Sequence, residues 1–459
     1  MYNETICAIA TGITNSGISI IRVSGENALS IVDSVFVNPL KKHTLSSKES
    51  HTVSYGFLLD GDEILDEVLV TYFKGPKSYT GEDTVEVNCH GGMYVTNKVL
   101  ELIIKSGARL AQPGEFTKRA FLNGRIDLSK AEAVMDLISS ESDMALKSSV
   151  SGLRGSIYEK IKDIRKKLIY EIAFIESALD DPEHISLDGY KDVLFKRINV
   201  IKESINNMIS SYESGKVIKN GIRTVILGKP NVGKSSLLNA LSGEDRAIVT
   251  DIAGTTRDII EEKIRIGDVN IILVDTAGIR KTDDPVEKIG VDKALKSIDS
   301  AELIIFVIDS SIPLDSDDMD IIKIIKDRKS IIVYNKSDLE PKVDFENLTE
   351  YFDRNYIVSF SSVENKGIEA LGNKIKNMFI QEGLNPSNEV IITSLRQKEA
   401  LIESDVSLNH VIESIENDMP EDFYSIDLMS AYSYLGNIIG EELSDDLVNE
   451  IFSKFCMGK

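Results

Sequence analysis

The chain has 459 residues, 27% of them charged, and carries 74 Asp and Glu against 52 Lys and Arg, a formal net charge of −22. A chain this acidic gains no general counterion-release affinity for RNA or DNA, so a nucleic-acid substrate must be held by a local patch or a basic partner. No apolar run approaches the ~20 residues that cross a bilayer, the N-terminus lacks a signal pattern, and three scattered cysteines, Cys7, Cys89 and Cys456, make neither a CxxC pair nor an even set for disulfides, so a cytoplasmic location is expected.

Residues 1–118 read as an α+β unit. Strands are expected at 19–23, 53–59, 67–73 and 84–88, punctuated by Gly and Pro turns such as 74–81, and a helix follows at 94–106. His90 reads as a turn histidine. From 127 to 215 the spacing becomes helical. Ile157, Ile161, Ile164, Leu168, Ile172, Ile175 and Leu179 form one apolar stripe, and Leu194, Ile198, Ile201, Ile205, Met208 and Tyr212 form a second. Both are packing stripes, and they are expected to pair with each other in a bundle.

Val225, Ile226 and Leu227 predict a short buried strand and 236–241 the start of a helix, with GKPNVGKS at 228–235 between them. Gly228 and Gly233 permit the close backbone approach that points successive N–H groups at phosphate oxygens, where a helix N-terminus adds its own field. Lys234 brings a point charge to the β- and γ-phosphates, and Ser235 offers a hydroxyl to Mg²⁺. Asn231 has an amide oxygen able to help hold a monovalent cation.

The stretch TDIAGTTRD at 250–258 supplies one switch, with Thr255 and Thr256 as candidate metal ligands. A second apolar run, 271–274, delivers Asp275 of DTAG to the sheet edge, where it should hold Mg²⁺ through water, and Gly278 can present its N–H to the γ-phosphate. Runs 303–308 and 331–334 extend a parallel sheet, the latter ending at Asn335 of NKSD. Asp338 is the base selector, since its carboxylate can accept from both N1–H and the 2-amino group of guanine.

No amide follows DTAG to orient water. The nearest carboxylates are Asp283, Asp284 and Glu287, of which we single out Glu287, a residue that also reads as a solvated acid at a helix start. Arg257 and Arg280 are available as arginine fingers, and the spacing selects neither. Beyond the GTP motifs, Ser394 and Gln397 form a capping-box candidate before Leu401, Leu408, Ile412 and Ile415. Segment 445–455 opens with acids and sets Leu447, Ile451 and Phe455 on one face. Helices on both sides imply a GTPase domain inserted into a helical domain, with hinges at 215–221 and 383–388. The expected domains are 1–118, 119–215, 216–382 and 383–459.

With PGEFTKRAFLNGRIDLSKAEA at 113–133 and the tail Cys456, Met457, Gly458, Lys459 added to these motifs, the chain resembles the MnmE (TrmE) family of tRNA-modifying GTPases over its full length. The GTP motifs alone are shared with Era-type relatives; the 113–133 segment and the cysteine tail are specific. The resemblance implies an α+β folate-binding N-terminal domain that forms a homodimer, an α-helical bundle and an inserted α/β Ras-like G domain whose K⁺-dependent dimerisation activates hydrolysis. GTP contacts then comprise Asn231, Val232, Gly233, Lys234, Ser235 and Ser236; Thr250, Asp251, Ile252, Ala253, Gly254, Thr255 and Thr256; Asp275, Thr276, Ala277 and Gly278; Asn335, Lys336 and Asp338; and Ser361 and Ser362. It further implies K⁺ on Asn231, Thr250, Ile252 and Thr255, Mg²⁺ on Ser235 and Thr256, and water oriented by Glu287, with K⁺ in the place of an arginine finger.

By the same matching, Arg22, Glu86, Arg125 and Lys459 correspond to contacts of 5-formyltetrahydrofolate or 5,10-methylenetetrahydrofolate. Cys456 is the thiol needed for modification, through attack on either the uracil ring or a folate adduct, although the end of a helix disfavours its thiolate unless Lys459 or a partner compensates. The implied reaction places an aminomethyl or carboxymethylaminomethyl group on C5 of wobble uridine U34 in certain tRNAs. It is carried out in a heterotetramer with the FAD/NADH protein MnmG, which would also supply the tRNA-binding surface. Two readings from other classes are a ribosome-associated RNA switch, for which no KH-like GXXG loop is evident, and a GTP-driven scaffold, which would lack affinity for reduced folate.

Overall fold

The computed structural model describes residues 4–39, 45–244, 262–267, 269–274, 298–343, 348–364, 366–380, 389–441, 443–456 and 458. Its helices are α1 (Ala28–Val35), α2 (Met93–Lys105), α3 (Glu115–Leu122), α4 (Leu128–Ile138), α5 (Asp143–Leu153), α6 (Ser156–Asp180), α7 (Tyr190–Asn220), α8 (Lys234–Glu244), α9 (Ser316–Ile325), α10 (Ile368–Phe379), α11 (Leu395–Glu416), α12 (Glu421–Ile439) and α13 (Asp445–Ser453). Among the described residues no helix is long and apolar enough to cross a membrane. The chain divides into two compact units.

The first unit comprises Met1–Met135, Leu153–Glu176 and Leu428–Lys459. Its sheet is built from β1 (Ile6–Ile9), β2 (Ile18–Ser24), β3 (Phe36–Val37), β4 (Thr52–Asp60), β5 (Glu63–Phe73), β6 (Thr84–His90) and β7 (Arg109–Leu110), in the order β3-β4-β5-β6-β2-β1-β7. The pairs are antiparallel except β1 with β7. Ile21, Val23, Val70, Val85 and Val87 pack with Ile31, Val32, Val99 and Ile103 of α1 and α2. Strand alternation therefore turns Arg22 and Glu86, partners in register across β2 and β6, to the other face. The four expected strands and the expected helix are present. The four-residue β1 and two-residue β7 are too short to leave a periodic signal.

Within this unit α6 presents its stripe to a core, and its Arg165 stacks 3.9 Å over the Tyr432 ring of α12 and pairs with Glu441. In α13 the buried residues are Val448 and Phe452, with Phe455 just beyond the helix, because they face Leu128 and Phe121; Leu447, expected on that face, is exposed.

The second unit comprises Asp136–Gly152 and Ser177–Asp427. All six stripe residues of α7 are buried, and α7 packs along α11 with Lys202 3.3 Å from Asp405 and Lys398 2.9 Å from Glu213. Within this unit α11 is the helix that covers the α7 stripe. Leu179, assigned to the first stripe, is exposed, and Ala178 is buried instead as the 3.6-residue period drifts.

Helix α7 runs through Gly215, the first residue of the expected hinge 215–221, and a Cβ there would strike the Ile392 carbonyl. Gly215 is thus a point of close approach, and the chain turns only at Gly221, with φ 78°. The other expected hinge, 383–388, lies outside the described residues. The capping box at Ser394 does not form: Ser394 makes no side-chain cap bond, and Gln397 is turned into the buried face of α11 with Leu401, Leu408 and Val411.

The sheet of this unit runs β13 (Ile357–Ser359), β12 (Ser330–Asn335), β11 (Leu303–Asp309), β8 (Ile222–Leu227), β10 (Val269–Leu273), β9 (Glu262–Ile266). It is parallel except for the β9/β10 hairpin. Every residue of β11 and β12 is buried, as expected for parallel strands covered on both faces. This is the α/β architecture expected of an inserted Ras-like domain.

Candidate functional site

After β8 the chain places β10 on one side of it and β11 on the other, so strand order reverses between β8 and β11. Open α/β sheets bind ligands at the carboxyl ends of strands at that reversal. The segment GKPNVGKS leaves β8 there and opens α8. Gly228 and Gly233 have φ of 145° and 99°, and Asn231 at the exposed crest has φ 63°. A Cβ on Gly233 would collide with the Asn335 amide, which is buried and donates to the Val232 carbonyl at 2.7 Å. The phosphate loop is thereby fastened directly to the NKSD loop. Lys234 Nζ lies over the loop, donating to the carbonyls of Gly228 at 2.5 Å and Lys229 at 2.8 Å. Ser235, half-buried, and Ser236, exposed, stand in the first turn of α8.

On the base side Asp338 is exposed, and one of its oxygens accepts the Ser361 hydroxyl at 2.6 Å. Ser361 exchanges backbone hydrogen bonds with Lys366, and Ser337 N–H donates to Phe360 O at 3.1 Å, so these contacts back the loop that carries Asp338. Ser362 is exposed beside it. Lys336, at φ 59°, is ion-paired with Asp309, whose carboxylate also accepts from the Ser311 N–H and hydroxyl. Burial opposes ionisation of Asp309, but these donors outweigh it and hold its pKa below the ordinary value.

Thr250, Asp251, Ile252, Ala253, Gly254, Thr255, Thr256, Arg257, Asp275, Thr276, Ala277, Gly278, Arg280, Asp283, Asp284, Glu287, Met457 and Lys459 lie outside the described residues. The Val274 N–H still donates to Thr224 O at 2.9 Å, so pairing with β8 continues up to the residue before Asp275. Among the described residues no cluster of three or more His, Cys, Asp or Glu forms. The donors expected for K⁺ and Mg²⁺ are instead amide, hydroxyl and carbonyl oxygens, which suit hard cations, and Asn231 and Ser235 stand on the phosphate loop where such ions would meet phosphate.

In the first unit Arg22 reaches Glu86 Oε1 with both Nε and Nη2 at 2.9 Å. Its guanidinium lies 5.0 Å from the Tyr79 ring centre and 5.7 Å from that of Phe116. Arg22 Nη1 is buried without a hydrogen-bond acceptor among the described residues, which fits a ligand bearing a carbonyl or carboxylate oxygen. Arg125, on the turn after α3, is exposed, and no hydrogen bond or ion pair among the described residues joins it to this pair.

Next to them lies a chain of charges that the sequence did not single out. Arg119, 1% exposed, pairs with Glu82 at 3.1 Å and Glu115 at 3.0 Å and donates to Glu4 O at 2.9 Å. Arg109 pairs with Glu115 and Glu4, each at 2.7 Å. Burial pushes the Glu115 pKa up, but Arg109, the Gln112 N–H and Arg119 together hold it below the usual carboxylate range.

Residues 5–125 match the family model described as GTP-binding protein TrmE N-terminus, and residues 128–456 match the MnmE helical domain. The tRNA modification GTPase MnmE of Lachnoclostridium phytofermentans is 54% identical over the whole of both chains. That of Acetivibrio thermocellus is 46% identical over the whole of both, and that of Clostridioides difficile 44% over all of this chain and 99% of the relative. The chain belongs to the MnmE family of tRNA modification GTPases.

The tail of this MnmE-family chain is docked. α13 ends at Ser453, and Cys456, exposed, follows three residues later with its carbonyl accepting the Gly114 N–H at 3.2 Å. Gly458, at φ 83°, is buried so close to the Ile9 carbonyl that a Cβ would collide. The helix is shorter than 445–455, so Cys456 stands on the segment beyond its last turn. Cys7 and Cys89 are buried, and burial pushes their thiols up to about 12 and about 11.

Signals for the missed residues existed in the sequence. Glu115 and Arg119 are spaced i,i+4 within the 113–133 segment, and Asp309, like Asp275 and Asn335, directly follows an apolar run of sequence.

Proposed function

We propose that this chain hydrolyses GTP with K⁺ and Mg²⁺ to drive modification of wobble uridine U34 in certain tRNAs. In this reading it acts in the cytoplasm as a homodimer, in a heterotetramer with MnmG. The observation that carries the reading is the meeting of the phosphate loop and the NKSD loop at one sheet edge in a chain related to MnmE proteins over its entire length.

In this reading the backbone N–H groups of Asn231 to Ser235 and Lys234 Nζ bind the phosphates. The Asp338 carboxylate, oriented by Ser361, accepts two hydrogen bonds from guanine. Glu287 orients the attacking water, Gly278 presents its N–H to the γ-phosphate, and Asp275 would hold Mg²⁺ through water. Asn231, Thr250, Ile252 and Thr255 would hold K⁺, and Ser235 and Thr256 Mg²⁺, which would supply positive charge against the transferring phosphoryl group. Arg22, Glu86, Arg125 and Lys459 hold a reduced folate, 5-formyltetrahydrofolate or 5,10-methylenetetrahydrofolate, which supplies a one-carbon unit when bound. The Glu86 carboxylate, held in place by Arg22, accepts from an aminopyrimidine edge. Cys456 is the thiol of the modification step. We further propose domain boundaries at 118, 215 and 382.

The deciding experiment has two arms. Full-length protein should turn over GTP much faster in KCl than in NaCl, with ATP a poor substrate; equal rates in both salts would remove the K⁺ role of Asn231. A Cys456→Ser chain, supplied to cells lacking the native gene, should leave U34 unmodified by nucleoside mass spectrometry while purified GTPase activity persists. Retained modification would overturn the role of the thiol, and absence of any affinity for 5-formyltetrahydrofolate would favour a GTP-driven scaffold.

A further inference from the structure

The segment 309–318, which joins β11 to α9, contains none of the residues assigned to GTP, yet it grips both loops that are. At its start Asp309, 7% exposed, is ion-paired with Lys336 of the base loop. The Ser310 N–H donates to Asn335 O at 3.0 Å, and its hydroxyl to Lys336 O at 3.1 Å. At its end Asp315 caps α9, its Oδ1 accepting the N–H groups of Asp317 and Asp318, while Asp318 Oδ2 accepts the Asp315 N–H. Between these two carboxylates sits Lys229, with Nζ 2.6 Å from Asp315 Oδ2 and 2.6 Å from Asp318 Oδ2. Lys229 is the second residue of GKPNVGKS, and its carbonyl is one of the two that hold Lys234 Nζ.

We infer that 309–318 is a bracket that fixes the separation of the phosphate loop from the base loop, with Asp309, Asp315 and Asp318 as positioning residues and Lys229 as the grip on the phosphate loop. Capping alone does not explain the carboxylates, because Asn or Ser caps a helix as well as Asp. The second oxygen of Asp315 is used on Lys229. Nor is this an ordinary surface pair. The Lys229 side chain is 14% exposed and Asp318 5%, so that arm is shielded from the solvent screening that reduces exposed pairs to little, whereas Asp315 is 55% exposed. Burial acts against the Lys229 charge, yet the two carboxylates outweigh it and raise its pKa. The bracket touches no reacting atom, so it should act on nucleotide binding and leave the chemical step alone.

The inference rests on the GTP reading above, and the test separates the two. Full-length wild type, Lys229→Met, Lys229→Arg, Asp315→Asn, Asp309→Asn and the Lys229→Met/Asp309→Asn double variant are compared for fluorescent GDP release and for GTP KM and kcat. Wild type that binds neither nucleotide refutes the GTP reading before any variant is compared. With binding intact, Lys229→Met and Asp309→Asn should each raise KM and GDP release about tenfold, as expected for loss of a shielded charge-assisted bond, with kcat within about twofold. Lys229→Arg should restore most of the loss. Asp315→Asn keeps the helix cap, so its smaller increase in KM reports the tether and not unfolding. The double variant should show less than the product of the single effects, because either change releases the same segment. Wild-type KM in Lys229→Met, an arginine variant as weak as methionine, a fall in kcat alone, or multiplicative effects would each overturn the bracket.

Discussion

In the parallel sheet of the second unit, β11 and β12 are buried along their whole length and carry no charged side chain until the last residue of β11, Asp309. The antiparallel sheet of the first unit instead sets Arg22 opposite Glu86 in mid-strand and keeps Arg119 and Glu115 almost wholly buried beside it. The two regions build sites by different means. A parallel sheet buries both faces, so polar groups emerge only at strand ends, where backbone N–H groups and short loops bind the ligand. A sheet with helices on one face leaves the other free to carry side chains, and charge placed there must be paired, because an isolated buried charge costs far more than a pair.

The largest effect that could break this contrast is at Arg119. Replacing it with Met removes the arginine from Glu82 and leaves Glu115 with Arg109 alone, and should destabilise the first unit by roughly 3–5 kcal/mol. Denaturant unfolding followed by a probe in that unit would measure it. A change below about 1 kcal/mol would mean that the cluster is no more than a solvated surface network.

The second site is tested at Asp338, whose carboxylate is the part of the base loop that chemistry alone ties to guanine. Asp338→Asn should raise the GTP KM on the order of 100-fold through loss of a charge-assisted pair of hydrogen bonds. It should favour xanthosine triphosphate, whose C2 oxygen can accept from the new amide. Competition between the two triphosphates reads out the switch; unchanged preference for GTP would place base selection elsewhere.

These two sites differ in how much of them the sequence exposes, for the same physical reason. Gly228, Lys234, Asn335 and Asp338 are legible because a backbone-built site needs particular residue types at short fixed spacings after apolar runs. Arg22, Glu86, Glu82 and Arg119 come from four separate elements, and β-strand register, which no local spacing encodes, sets Arg22 against Glu86. The helices show the same limit. Their periodicity is readable, but an apolar stripe states only that it is covered; that α11 covers the α7 stripe is seen in the fold alone. Within the expected hinge 215–221, sequence does not say which glycine does what: Gly221 ends the helix at φ 78°, whereas Gly215 lies against the Ile392 carbonyl.

A smaller effect tests the tail. Gly458→Ala adds a Cβ at φ 83° against the Ile9 carbonyl, a strain of about 1–3 kcal/mol that undocking would relieve. Alkylation of native protein should therefore modify Cys456 faster in the variant, while Cys7 and Cys89, buried and pushed up to about 12 and about 11, stay protected until unfolding. Equal alkylation rates would show that the tail carbonyl contact with Gly114, and not Gly458, holds the tail.

The smallest effect sharpens the contrast between buried and exposed charge within the first unit itself. His90 lies at the end of β6, its side chain 67% exposed, with Nδ1 2.7 Å from Asp66 Oδ1. The hydrogen bond to Asp66 raises its pKa above the ordinary 6.5. A raised histidine pKa stabilises the fold fully below the unfolded value and loses that contribution as pH rises through the folded one. His90→Gln keeps a donor but removes the titration, so its melting temperature should match wild type at pH 8.5 and fall slightly below it at pH 5.5. Solvent screens this pair, so the pH-dependent difference must be far smaller than the loss at Arg119; a comparable loss would mean that exposure does not separate the two kinds of charge on this sheet.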